Sequence, residues 1–214
     1  MDLLIFDLDG TLIDSRLDLA NAVNAMRSHL GMSVLAIEVV SSYVGNGAPL
    51  LVRRALGEQA TETEVANALV FFMEYYAAHD LEHTTLYPGV RESLDRFRDA
   101  GKRMAVLSNK PAPMSREILE GLGVGSHFFR IFGGDSFEQK KPDPVGVETL
   151  MREAGVDRAR TMMVGDSSVD LATAHNAGIA SCGVTYGFKP ESLKDPAPDL
   201  LVDRMEQLAD WLLK

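Results

Sequence analysis

The sequence predicts an α/β fold: a doubly wound, mainly parallel sheet with an all-helical domain inserted near its start. Three observations predict it. Short β-rich apolar runs recur along the chain, as LLIF, RMAVLS, FRIFGG, TMMVGD, ASCGV and DLLV. Segments with helical spacing separate them, and strand–helix alternation of this kind produces a parallel sheet covered on both faces. Between the first run and the Tyr87-Pro88-Gly89 turn, however, the pattern is helical throughout.

The first element, Leu3 to Phe6, is an unbroken apolar run, the signature of a strand buried on both faces. DLANAVNAMRSHLG, PLLVRRALG and ETEVANALVFFMEYYAAHDLEH follow as helices. They define a helical cap over residues 15–85, expected above the carboxyl edge of the sheet, where open α/β sheets bind ligands. Residues 1–14 and 86–214 form the core, with hinges expected at Asp14-Ser15 and Leu86-Tyr87. The aromatic cluster Phe71 to Tyr76 reads as cap core.

Five further helices are RESLDRFRDAG, SREILEGLG, PVGVETLMREAG, DLATAHNAG and RMEQLADWLLK. Gly101, Gly121 and Gly155 mark helix ends. His175 reads as structural, Cys182 as a packing residue in an apolar run, and Trp211 as the anchor of the last helix.

Composition narrows the function. Among 214 residues, 21 basic and 31 acidic side chains give a formal charge of −10. Nucleic acid and anionic membranes require clustered Lys and Arg, so neither is an expected partner. A single cysteine excludes an intrachain disulfide and C-x-x-C motifs, which makes a cytoplasmic setting the expectation. The N-terminus has no basic leader, and no apolar run approaches the ~18 residues of a membrane span. A monomer or homodimer is expected.

The chemistry gathers at strand ends. Asp7 and Asp9 lie two apart after the first run, so in an extended backbone their side chains share one face. Carboxylates at the mouth of a buried strand are costly unless a positive group pairs with them. Gly10 lets the backbone turn closely around a ligand, and Thr11 adds a hydroxyl. TMMVGDSSVD repeats the theme with Asp166, then Asp170 one helical turn later. RMAVLSNK ends in Ser108 and Asn109, and GGDSFEQKKPDP carries Lys140 and Lys141. Single Asp or Ser residues at such places are often helix N-caps. Carboxylates converging from two strands instead fit an oxygen-ligand site for Mg²⁺.

FDLDGTLIDS, LSNK, KKPDP and VGDSSVDLATAHNAG resemble, in order and spacing, the four motifs of the haloacid dehalogenase superfamily of phosphotransferases, over nearly the whole chain. The resemblance implies roles. Asp7 is the expected nucleophile forming an aspartyl-phosphate, and Asp9 the general acid and then base. Ser108, Asn109, Gly10 and Thr11 are expected to bind the phosphoryl group, and Lys141 to neutralise its charge and that of Asp7. Mg²⁺ is expected on Asp7, Asp166 and the Asp9 carbonyl, with Asp170 orienting the site.

YVGNGAPLLVRRALG, LYPGV, GGDSFEQKKPDP and GVTYGF are most similar to the phosphoglycolate phosphatase group with a helical cap. The substrate expected is therefore a small phosphorylated metabolite, with 2-phosphoglycolate foremost. Ser108 stands where Thr is common, a change that keeps the hydroxyl. In the cap, Gly45, Asn46, Gly47 and Arg53 are candidates for reading the non-phosphate end of the substrate.

Other readings are weaker. A sugar-phosphate mutase uses the same core, but Thr11 after the glycine leans toward hydrolysis. A phospho-acceptor switch would be shorter and capless. His79 to His83 spells H-x-x-E-H, a zinc pattern, but at a helix end that runs into TTLYPG. Calcium-loop, P-loop and dinucleotide patterns all fail, since Leu12 and Asp18 occupy the EF-hand Gly and Glu positions and GLGVG follows a helix.

Overall fold

Leu3–Phe6 form β1, and all four side chains are buried. In the computed structural model, which describes residues 1–214, the chain leaves through β2 (Ile13–Asp14) and builds four helices. These are α1 (Arg16–His29), α2 (Ile37–Tyr43), α3 (Ala48–Leu56) and α4 (Glu62–His79). It returns through β3 (Thr85–Leu86), and β2 and β3 pair as a two-stranded ribbon. Then follow α5 (Val90–Asp99), β4 (Arg103–Leu107), α6 (Ala112–Gly121), β5 (Arg130–Phe132), α7 (Val145–Ala154) and β6 (Thr161–Gly165). The chain closes with α8 (Ser168–Ala177), β7 (Ala180–Val184), β8 (Leu200–Val202) and α9 (Met205–Leu212).

The main sheet runs β5-β4-β1-β6-β7-β8, with every neighbouring pair parallel. The chain first adds strands on one side of β1, then crosses and adds the rest on the other. That reversal beside β1 makes the fold doubly wound and opens a crevice at the strand ends.

Alternation along β1 sorts the core into two layers. Leu3 and Ile5 join Val147, Leu150, Ala174 and Ala177 of α7 and α8. Phe6, on the other face, packs against Phe97 of α5 and Phe128, with ring centroids 6.2 and 6.3 Å apart. Each fully buried Leu or Ile contributes about 1.5–3 kcal/mol of hydrophobic stabilisation.

The chain divides into two compact units, Met1–Ile13 with Leu86–Lys214, and Asp14–Thr85. Within the helical insertion, a Thr61–Glu64 capping box starts α4. Phe72 and Tyr76 are buried core residues, whereas Phe71 and Tyr75 stack in a separate row with His29 and His79. Asp18 of α1 accepts hydrogen bonds from the His83 and Thr84 amides and both of their side chains. Burial opposes its charge, but these donors outweigh it and hold the carboxyl below its ordinary value.

Several sequence expectations need correction. α6 does end at Gly121, but the left-handed turn after it is made by Gly123 (φ 69°). Trp211 is 47% exposed, and α9 is anchored by Met205, Leu208 and Ala209. The α2 helix has no counterpart among the predicted elements, because its β-branched and serine-rich IEVVSSY is a poor helix former. Cys182 is fully buried, which pushes its thiol up to about 12, and His175 is exposed on α8.

Candidate active site

Strand register assembles the site. Phe6 pairs with Val106 of β4 and Val164 of β6. The residues after these strands therefore emerge on one edge: Asp7 from β1, Ser108 after β4 and Asp166 after β6. This is the edge where the winding reverses.

A buried ammonium organises the carboxylates. Lys141 Nζ lies 2.9 Å from Asp7 Oδ1 and 2.6 Å from Asp170 Oδ1. The Leu8 amide also donates to Asp7 Oδ1 at 2.7 Å. Asp170 Oδ2 accepts from the Ser167 amide and hydroxyl at 3.1 and 2.7 Å, closing a capping box at the start of α8. Both Asp170 oxygens are thus occupied, and its task is to hold Lys141.

Asp166 is held from a different direction, by the Phe188 amide, 2.7 Å from Oδ2. Asp7, Asp166 and Asp170 each offer an oxygen within 4.8 Å of the others. Burial, with Asp170 nearby, raises the Asp7 carboxyl to about 6 against the pull of Lys141. Asp166 is raised as well, first by burial and then by Asp170 and Asp7. Burial would lower the Lys141 ammonium, but the two carboxylates outweigh it and keep it charged. Three crowded carboxylates sharing one buried cation leave the cluster short of positive charge, and a hard divalent cation with oxygen ligands fits it.

Asp9 forms an ion pair with Lys110, at 2.7 Å, in which both side chains are almost fully buried. Lys110 is a residue of this candidate site that the sequence reading passed over. Its signal was present: it directly follows Ser108 and Asn109 at the end of β4.

The expected phosphate contacts divide. Ser108 is buried at the strand end, and its hydroxyl accepts from the Lys110 amide at 3.4 Å. Asn109 donates its side-chain amide to the Lys141 carbonyl at 3.1 Å and so positions the lysine segment. The Gly10 amide is engaged by the Ile13 carbonyl at 2.9 Å. Gly10 has φ 86°, and a methyl group there would overlap the Asp166 carboxylate. Thr11 is wholly buried, and its hydroxyl has no hydrogen-bond partner in the protein. Its carbonyl accepts from the Tyr186 hydroxyl at 2.9 Å. The Gly10 amide is thus used within the turn, whereas the Thr11 hydroxyl is the one donor of this pair left without a protein partner.

The remaining expected residues lie in the helical insertion. Gly45 and Gly47 have φ of 116° and 89°, and Gly47 precedes α3. Arg53 turns to Glu62 at 2.5 Å and to the Ala60 carbonyl. Arg54, instead, bonds the Tyr43 carbonyl at 2.9 Å and Asn46 Oδ1 at 3.2 Å. The arginine that touches the Gly45–Gly47 loop is Arg54. His79 and His83 pair separately, with Glu82 and Asp18, and do not converge as a zinc site.

The profile of the haloacid dehalogenase-like hydrolases matches residues 4–184. A phosphoglycolate phosphatase of Pseudomonas fluorescens is 41% identical over 213 residues, covering 96% of this chain and 78% of the relative. One from Vibrio parahaemolyticus is 41% identical over 217 residues, covering 97% and 94%. Among solved structures, a protein described as a predicted phosphoglycolate phosphatase from Haemophilus somnus superposes with a TM-score of 0.93 at 31% identity, covering 99% and 98% of the two chains.

Proposed function

Because the chain belongs to the haloacid dehalogenase-like hydrolases and is a phosphoric monoester hydrolase acting on small phosphates, we propose that it hydrolyses 2-phosphoglycolate to glycolate and phosphate, through an aspartyl-phosphate on Asp7 and with Mg²⁺. The observation that carries the mechanism is the Asp7–Lys141–Asp170 array beside Asp166. The substrate rests on the relatives, whose names specify phosphoglycolate phosphatase.

Asp7 suits the nucleophile. Leu8 and Lys141 both bond its Oδ1, which leaves Oδ2 to attack phosphorus. As the Asp7–phosphorus bond forms and the ester bond breaks, the departing glycolate oxygen takes a proton from Asp9, which enters this step protonated on the oxygen that Lys110 does not hold. Asp9 then takes a proton from water, whose oxygen attacks the phosphorus and frees inorganic phosphate and Asp7. Ser108 is placed to hydrogen-bond a phosphoryl oxygen, and Lys141 to balance its charge.

Asp7, Asp166 and the Asp9 carbonyl would hold Mg²⁺, which when bound supplies electrostatic stabilisation of the phosphoryl charge. Lys141 and Asp170 keep Asp7 oriented from behind. Phosphate release should be measured across a panel of phosphorylated metabolites, with and without Mg²⁺. Selective, Mg²⁺-dependent release from 2-phosphoglycolate is the expected result. Even release across the panel would remove the substrate, and release without divalent metal would remove the cofactor.

A further inference from the structure

The late segment Tyr186-Gly187-Phe188 takes no part in the chemistry above, yet it reaches both halves of the site. Phe188 donates its amide to Asp166 Oδ2 at 2.7 Å. Tyr186 donates its hydroxyl to the Thr11 carbonyl at 2.9 Å, in the turn that follows the nucleophile. Tyr186 is locked in place against Tyr87, with ring centroids 4.7 Å apart. Between these two anchors lies Gly187. A side chain there would overlap Asp166 Cβ and the Gly10 carbonyl oxygen. Gly10 also closes on Asp166, where a methyl would meet the carboxylate itself.

Asp166 is therefore closely packed by two glycines, with one oxygen pinned by a backbone amide. We infer that Tyr186-Gly187-Phe188 is a positioning clamp for the metal carboxylate. It fixes the rotamer of Asp166 so that its carboxylate stays at the cluster shared with Asp7 and Asp170. The physical reasoning is that a carboxylate between like charges in a buried site turns away from them unless held. Three features hold it here: the amide bond, the absence of a Cβ at Gly187, and the tie from Tyr186 to the Thr11 carbonyl. The inference rests on the proposed metal site and adds to it residues that touch neither metal nor substrate.

The clamp predicts loss of metal affinity with little effect on substrate affinity. Outer contacts of this kind typically change metal affinity by about 10–100-fold. The experiment is Mn²⁺ binding without substrate, followed by electron paramagnetic resonance, in the wild type, Gly187→Ala, Tyr186→Phe and Asp166→Asn. Thermal midpoints and the KM for 2-phosphoglycolate at saturating Mg²⁺ are measured alongside. Gly187→Ala should weaken Mn²⁺ by about tenfold or more, and Tyr186→Phe by a smaller factor, with KM nearly unchanged.

Two outcomes separate the clamp from the reading beneath it. If the wild type binds no Mn²⁺, or Asp166→Asn binds it as tightly as the wild type, the metal site and the clamp fall together. If Asp166→Asn loses the ion while Tyr186→Phe and a folded Gly187→Ala retain wild-type affinity, only the clamp is overturned. Should Gly187→Ala not fold, Tyr186→Phe decides: weakened Mn²⁺ at an unchanged thermal midpoint supports the clamp, and unchanged affinity overturns it.

Discussion

Lys110 Nζ lies 2.7 Å from Asp9 Oδ1, and both side chains are almost withdrawn from solvent. The site therefore contains two buried lysines, each paired with one of the two aspartates to which the proposed mechanism assigns the chemistry. Lys141 holds Asp7, the proposed nucleophile, and Lys110 holds Asp9, the proposed acid–base residue. Misplacing a reacting group by about 1 Å costs on the order of 10²-fold. Lys110→Met should lower kcat by about that factor and change KM less, as steady-state kinetics on 2-phosphoglycolate would reveal. An unchanged kcat would show that Asp9 needs no partner.

Lys141 is bound more tightly into the fold. Removing one partner of a buried ion pair costs about 3–5 kcal/mol, because the other charge is stranded. Lys141→Met strands Asp7 and Asp170 together, so both activity and the urea midpoint should fall. Lys141→Arg should not rescue activity, since a planar guanidinium does not replace a compact ammonium between oxygens at 2.9 and 2.6 Å. Recovery of near-normal turnover by the arginine variant would contradict this geometry.

The raised carboxyls set a pH dependence for the metal-free protein. Asp7 titrates near 6 when folded, against 3.8 as its ordinary value. Between these values the folded state binds the extra proton, so Asp7's contribution is full below about pH 4 and is lost as pH rises toward 6. Asp166 is shifted the same way. In EDTA, Asp7→Asn should therefore become more stable relative to the wild type as pH rises through this window. Urea unfolding of the two proteins at several pH values checks this. A difference that stays flat with pH would mean Asp7 is not raised.

Arg53 and Arg54 separate the roles of their neighbourhood. The Arg53–Glu62 pair is largely exposed on the glutamate side, and such pairs contribute about 0–1 kcal/mol. Arg53→Ala should leave KM and stability nearly unchanged. Arg54→Ala removes the bonds to Tyr43 and Asn46 and loosens the loop between α2 and α3. It should raise KM more than Arg53→Ala does, and equal KM values would remove that loop from substrate binding.

What the sequence disclosed followed from local rules. The unbroken apolar run of β1, and the two-residue spacing of Asp7 and Asp9, are properties of neighbouring residues and can be read directly. Asp166 and Ser108 were legible because they follow apolar runs. The partners were harder. Lys110 on Asp9, Asn109 on the Lys141 carbonyl, and the Phe188 amide on Asp166 are contacts between residues far apart in sequence, and no local pattern specifies them. The same limit explains Arg53, chosen for its charge when the bonds to the Gly45–Gly47 loop come from the adjacent Arg54. Helix α2 was missed because packing within the helical insertion overrides weak propensity.

The most direct test of the central claim is to trap the covalent intermediate. Radiolabelled 2-phosphoglycolate is mixed with enzyme and Mg²⁺, quenched in acid on the millisecond scale, and the phosphorylated peptide is located by mass spectrometry. The account predicts label on Asp7 alone, prolonged in Asp9→Asn and absent in Asp7→Asn. Turnover that proceeds in the wild type with no acyl-phosphate in either active protein, or label that persists in Asp7→Asn, would contradict it.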